Sequence, residues 1–476
     1  MRPRRGGVAA VAAAFALLLA VGRPAAAWAH GLVGRADLPV PGWLFGWAAA
    51  VVLVISFVAL ATLWPAPRLQ EPRERRLIAL PAWLVGVCGA LGVAVFGLVV
   101  YAGFAGTKEA ALNVAPNVIY VHVWVGMVVA SVLLGDVFAA FNPWRAVGRA
   151  SGWVVERVAG TRALPRRPYP PSWGRWPAAL GILTFAWLEL VYVHKADPPT
   201  LAALALAYFA VQLVAMAVFG VETWSSRGDA FGVYFNLYSR LAPLVRREGA
   251  LWRRIPLSGA PAYPVMAGTV ALLAVAIGST TFDGFSNGPV WASVNRHLQS
   301  FFADLGAGLS GRVELAGTVG LLGCVLVVGS FYRLGIRGMS TAGEGHAARE
   351  LAGRFVHTLI PIAFAYALAH YFSLLVFQGQ SARYLVSDPL GDGSNLFGTA
   401  SAHIDYGVVT ANAIWYVQVG ALVCGHVAGL VLAHDRAVAV YRRASAAARS
   451  QYWMLVVMVG FTSLGLWLLS AVNGTG

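Results

Sequence analysis

The chain has 476 residues, 58% of them hydrophobic and only 12% charged, with a formal net charge of +15. Soluble domains carry about 25% charged residues, so too little polar surface remains here to coat a water-soluble globule, whereas lipid requires no such coat. The positive charge does not mark a nucleic-acid binder, because the basic residues fall in short clusters between apolar runs rather than on one face.

Arg2, Arg4 and Arg5 precede an apolar run at 8–21, and Ala27-Trp28-Ala29 offers a small-x-small cleavage site. These are the parts of a secretory signal peptide over residues 1–29, which leaves residues 30–476 as a single polytopic domain. Cleavage after Ala29 would make His30 a new N-terminus outside the cytoplasm. Its amine and ring nitrogen could then chelate copper together; a plain short tail is the other reading.

Apolar runs long enough to cross a bilayer follow at 42–64, 79–104, 118–141, 175–193, 199–224, 263–285, 313–331, 355–377, 409–433 and 453–472. The expected fold is therefore an all-α transmembrane helix bundle of about ten spans in the plasma membrane, with the lipid bilayer as its main partner. The charges test that count. Loops 65–78, 142–174, 225–262, 332–354 and 434–452 hold 24 Lys and Arg, while the alternate segments hold Arg35, Lys108, Lys195, Arg296, Arg312 and Arg383. Basic loops face the cytoplasm, so both ends of the mature chain are expected outside. Cys88, Cys324 and Cys424 all sit in apolar runs and read as packing residues.

Two basic loops look alike. Gly135-Asp136-Val137-Phe138 leads to Phe141-Asn142, and Gly228-Asp229-Ala230-Phe231 leads to Phe235-Asn236. An internal duplication and a chance match both account for this. The outer segments at 286–312 and 378–408 are long; the second, rich in Gly, Ser and Asp, reads as a lid, a binding loop or a plain connection.

Ionisable residues inside spans are costly and point to function. His122 and Asp136 share a face of the third span but lie roughly 21 Å apart along it, so each needs a partner on another helix. Glu189 ends the fourth span, and Glu222 near the end of the fifth can snorkel to water. In the eighth span Pro361 removes the helical partner of the His357 carbonyl, and Tyr366 and His370 share a face. Asn412, Tyr416 and His426 lie on one broad face of the ninth span, and His403 and Asp405 stand just before it.

With this topology the outer half can gather His122, Glu189, His370, His403 and Asp405, with His30 nearby. The inner half can gather Asp136, Glu222, His357 and His426. In the outer set His122, His370, His403 and His30 are candidate ligands for a divalent metal such as copper or zinc, and Glu189, His122 and Asp405 are candidate catalytic groups. His357 and His426 could instead hold a haem. No P-loop, Rossmann glycine motif or Gly-x-Ser-x-Gly elbow is present.

The segments His30-Gly31-Leu32-Val33-Gly34-Arg35-Ala36-Asp37-Leu38-Pro39, Ala369-His370-Tyr371-Phe372-Ser373 through Phe377-Gln378-Gly379-Gln380, and Gln451-Tyr452-Trp453-Met454 resemble actinobacterial fenitrothion hydrolase-like membrane proteins. The resemblance runs from His30 to the C-terminus and implies one membrane domain that hydrolyses an organophosphate triester. It carries no catalytic residue with it. Three functions are therefore expected: a hydrolase of hydrophobic esters, metal-assisted or not, with a site near the outer face; a solute transporter or metal-handling protein; or a haem-bearing or structural subunit of a membrane complex.

Overall fold

A computed structural model of the protein describes residues 42–159 and 166–473. The segment expected to be a signal peptide, His30 and the last three residues lie outside them. The described chain is mostly helical, and each of the ten expected spans falls on a helix. These are α1 (Gly42–Leu63), α2 (Ala82–Ala105), α3 (Val114–Leu134), α5 (Trp176–Leu190), α6 (Pro198–Phe219), α9 (Thr269–Ser286), α11 (Leu309–Ser340), α13 (Ile360–Gln378), α14 (Ala411–Val440) and α15 (Ala444–Asn473). Among the described residues seven helical segments are long and apolar enough to cross a membrane, and Trp47–Leu63 and Trp176–Leu190 are shorter apolar helices.

The sequence dictates where several of them begin. Asn113 caps α3 by accepting from the Ala115 N–H. Asp197 does the same for α6 through Thr200 N–H, with Pro198 and Pro199 in the first turn, and Thr410 caps α14 through Ala413 N–H. The outer helices keep large apolar side chains exposed: Val87, Leu91, Val95 and Leu98 form such a stripe on α2. A water-facing helix would carry polar residues there, so lipid is the solvent this face suits. In contrast α9 is buried at every position from Leu272 to Phe282 and forms the centre of the bundle. The α13–α14 seam is closed by small residues. A Cβ on Gly425 would collide with Ala365, and one on Gly429 would lie 3.0 Å from the Thr358 carbonyl.

Contacts bring the five basic loops to one end of the bundle. Strand β1 (Arg75–Ala79) pairs antiparallel with β3 (Ala250–Arg253), which pairs antiparallel with β2 (Leu244–Arg247). The β2–β3 turn uses Glu248 and Gly249, both at positive φ, the geometry a tight hairpin requires. Asn142 donates to Asp229 across 2.8 Å, Arg436 to the Pro261 carbonyl across 2.8 Å, and the N–H groups of Arg442 and Arg443 both donate to Glu344 across 2.9 Å. At the opposite end Thr107 N–H donates to Leu390 O, Tyr120 to Lys195 O and Asn117 to Gln378 O.

Several features depart from the sequence-based expectations. The outer segment 286–312 contains an amphipathic helix, α10 (Pro289–Asp304), anchored by Trp291 against Phe282 and Phe285. The basic loops contain α4 (Pro143–Ala159), α7 (Val221–Arg227), α8 (Ala230–Ser239) and α12 (Ala348–Phe355). Pro361 does not kink a continuous helix. A 3-10 turn at Val356–Leu359 separates α12 from α13, Pro361 stands in the first turn of α13, and Ile360 N–H satisfies the His357 carbonyl. Within α3, residues Val118–Gly126 form a π-helix nine residues long, a rare element that clusters at functional sites.

Candidate functional site

The π-helix, the C-terminal turns of α5 and α9, and the middle of α13 meet in the half of the bundle away from the basic loops. Each contributes one or two polar side chains. Asp283, in the last turn of α9, accepts from His370 Nε2 on α13 across 2.8 Å, with both side chains largely shielded. The buried Tyr371 hydroxyl lies within hydrogen-bonding reach of the same carboxylate. Glu189 stands on the other side of Tyr371. Its neighbours are Trp124 and Tyr371, and the charges acting on it come from Asp283 and the exposed Lys195. The Oε2 atom of Glu189 is buried and completes no hydrogen bond of normal geometry within the protein, and the same holds for Trp124 Nε1.

Tyr120 and Trp124, four residues apart, reach this side together. Tyr120 anchors to the Lys195 carbonyl across 2.7 Å and interacts with Glu189. One turn on, Trp124 stacks on Tyr234 of α8 with centroids 5.0 Å apart and planes at 13°. Trp124, Tyr234 and Tyr371, with Val125, Ala367 and Leu368, line a cavity of about 10 Å³, enough for roughly one water. The site is thus two carboxylates sharing a tyrosine, one of them paired to an imidazole. Two carboxyl groups and one imidazole stand close together among apolar helices, where the charge of each alters the cost of charging the others.

Of the residues singled out in the sequence, Glu189 and His370 belong to this site. His122 lies between Tyr120 and Trp124 in the chain, about half a turn from both, and its buried Nδ1 has no hydrogen-bond partner. His403 and Asp405 lie on the exposed outer segment. Asp405 caps its own turn through Gly407 N–H, while Gln380 brackets its backbone. That segment is pinned to the α2–α3 loop through Pro389 and Leu390, as a packed connection is. Among the described residues no three His, Cys, Asp or Glu side chains converge to hold a metal ion. His122, His370 and His403 therefore do not share a first coordination shell, and His30 lies outside the described residues.

The inner residues divide similarly. His357 and His426 are buried in the close α13–α14 seam, where His426 Nδ1 meets the Leu422 carbonyl at 2.7 Å and its ring packs edge-on to Tyr366. Gly425 and Gly429 bring α14 close against the chain at this level. Glu222 is held by Arg145 at 2.5 Å and Arg149 at 2.7 Å. Asp136 accepts from Asn236 across 2.6 Å.

Sequence reasoning passed over Asp283, although it lies inside the expected sixth span and the rule for ionisable residues in spans applies to it directly. Trp124 carries no such signal, since one tryptophan among 17 is not distinguished by composition. With this geometry in view, the chain was compared with known proteins: no protein-family model, curated protein or solved structure matches it.

Proposed function

We propose that this chain is a ten-span plasma-membrane protein, exported by its signal peptide with both ends outside, that moves a small solute across the bilayer in step with protons handled by Glu189, Asp283 and His370. The topology is supported by the 24-to-six partition of basic residues and by the contacts among the five basic loops. The functional reading rests on one observation: the Asp283–His370 pair at 2.8 Å with an incompletely hydrogen-bonded Glu189 beside it, among helices of membrane character. Intramembrane carboxylate and histidine groups that face the bundle interior are the parts of proton relays.

The test is a proteoliposome assay with a trapped pH dye. Small organic acids, amino acids, phosphate and sugars are added in turn outside. Proton movement that depends on one solute class, and is lost in both Glu189→Gln and Asp283→Asn proteins, is the expected result. Proton movement that neither substitution alters, or none with any class, would overturn the reading.

A second reading follows from the resemblance to fenitrothion hydrolase-like proteins. An imidazole oriented by a carboxylate is also a general base, and a hydrophobic ester could reach His370 from lipid. Turnover of a chromogenic phosphotriester by purified protein, abolished by His370→Ala, would favour hydrolysis over transport.

A further inference from the structure

The second polar region lies at the basic end and grows out of the two similar loops. Their aspartates and asparagines are exchanged: Asn236 Nδ2 donates to Asp136 Oδ2 across 2.6 Å, and Asn142 Nδ2 donates to Asp229 Oδ2 across 2.8 Å. Phe138 of one loop packs on Phe235 of the other, with centroids 4.9 Å apart. This crossed arrangement holds open a cavity of about 400 Å³ between the two loops and the starts of α5 and α9.

The charges of its wall are unbalanced. Arg145, Arg175, Arg227 and Arg240 line it, against Asp136 and Glu222. Both carboxylates are already occupied, Glu222 by Arg145 and Arg149, and Asp136 by Asn236 and the Ala139 N–H. Arg175, Arg227 and Arg240 have no carboxylate partner among the described residues. Arg175, only 3% exposed, and Arg240 lie over the Tyr263 ring at 3.9 and 5.4 Å, and Arg227 lies over Tyr169 at 5.6 Å. The Nε atoms of Arg145, Arg175 and Arg240 and the Oγ of Ser225 are buried without a hydrogen-bond partner. Arg175 also donates to the Pro264 carbonyl and to Thr269 Oγ1, and Arg240 to Asn236 Oδ1, so the unspent donors are the buried Nε atoms, Ser225 Oγ and the Arg227 guanidinium. An excess of cationic donors over acceptors around a cavity calls for a ligand made mostly of acceptors.

We propose that this chamber binds a tetrahedral phosphate-type oxyanion, through Arg175, Arg227, Arg240 and Ser225. Guanidinium forks match phosphate oxygens in geometry and charge, and the volume admits a phosphorylated small molecule as well as the bare ion. The same chemistry is presented by a free phosphate compound and by the headgroup of an anionic lipid, since the chamber stands at the basic end of the bundle. The inference does not depend on the transport reading: α3 alone puts Asp136 about 18 Å from Trp124, and binding is measurable without flux.

The experiment uses the full chain in nanodiscs of two compositions. In phosphatidylcholine alone, inorganic phosphate is titrated as the labelled ion. With phosphatidylglycerol added, lipid retained by the protein is read by native mass spectrometry. Saturable phosphate binding in the first disc identifies a free anion, and retained phosphatidylglycerol that excludes phosphate identifies a lipid; either supports the site. Arg240→Gln should weaken whichever is seen by about tenfold or more, the loss expected of one charge-assisted hydrogen bond, while Arg296→Gln at the other end should not change it. Should Arg240→Gln fail to fold, Arg227→Gln, which removes a guanidinium lying over the Tyr169 ring, carries the same expectation. Neither phosphate nor lipid bound to wild-type protein, or binding indifferent to both substitutions, would overturn the proposal.

Discussion

The buried carboxylates at the two ends of this molecule live under different rules. At the basic end Asp435 accepts four hydrogen bonds, from Trp64 Nε1, Arg68 N–H, Leu69 N–H and Gln70 Nε2. Asp229 accepts three, from Asn142, Trp144 and Tyr208. Both are fully buried and fully served, and they join segments far apart in sequence. In the opposite half Asp283 shares one imidazole and one phenol, and Glu189 keeps an oxygen without a hydrogen bond of normal geometry. A saturated carboxylate holds a fold together; an unsaturated one remains available for chemistry.

The sharpest way to break that contrast is to remove the saturated groups first. Asp435→Ala strands four donors at once and should destabilise the protein by about 3–5 kcal/mol, read as a large fall in unfolding temperature in detergent. Asp229→Ala should cost about 3 kcal/mol, with Asp229→Asn recovering part of it, because three donors lose their acceptor. Asp283→Asn should cost only about 1–2 kcal/mol, yet reduce proton-linked flux to less than a tenth. Glu189→Gln should leave stability unchanged or raise it by up to about 1 kcal/mol, since it removes a buried charge without a matched partner. If Glu189→Gln instead lowers stability as much as Asp229→Ala, the distinction between the two ends collapses.

The smallest effect sharpens the comparison from the surface. Hydrogen bonds from the Arg442 and Arg443 N–H groups hold the Glu344 carboxyl below its usual range. A group depressed in the folded state contributes stability above its unfolded pKa of about 4.3 and loses that contribution as pH falls through its folded value. Wild type and Glu344→Gln should therefore differ slightly in unfolding temperature at pH 7 and converge below about pH 4. A difference that grows on acidification would contradict the assignment.

The helices themselves were readable because lipid-facing runs need only length and apolarity, and loop arginines register which runs alternate. What escaped was structure whose residues look like loop. Tyr234, Phe235 and Tyr238 of α8 are buried, yet they follow Arg227 and precede Arg240 within a stretch holding six arginines, so composition assigns them to water. Strands β1 to β3 are four or five residues long and rich in Arg, and only their pairing reveals them. At the site, Glu189 and His370 stood out as ionisable residues within spans. His403 and Asp405 were grouped with them because they sit at the same end in sequence, but depth along one coordinate does not bring side chains together. The resemblance between the loops around Asp136 and Asp229 could not be weighed from sequence, because their crossed hydrogen bonds appear only in three dimensions.

The π-helix at Val118–Gly126 has a consequence for how this chain can vary. Its bonds close over one more residue than α-helical bonds do, so here geometry follows from the number of residues more than from their kinds. Deleting a residue ahead of Trp124 would let the stretch tighten to α and change the angle at which the residues beyond it leave the helix. Trp124 would then leave the α5 side, and Asp136 would leave Asn236. Substitutions keep that register; insertions and deletions do not. Substitutions along α3 should therefore be tolerated more readily than a one-residue gap in this short stretch.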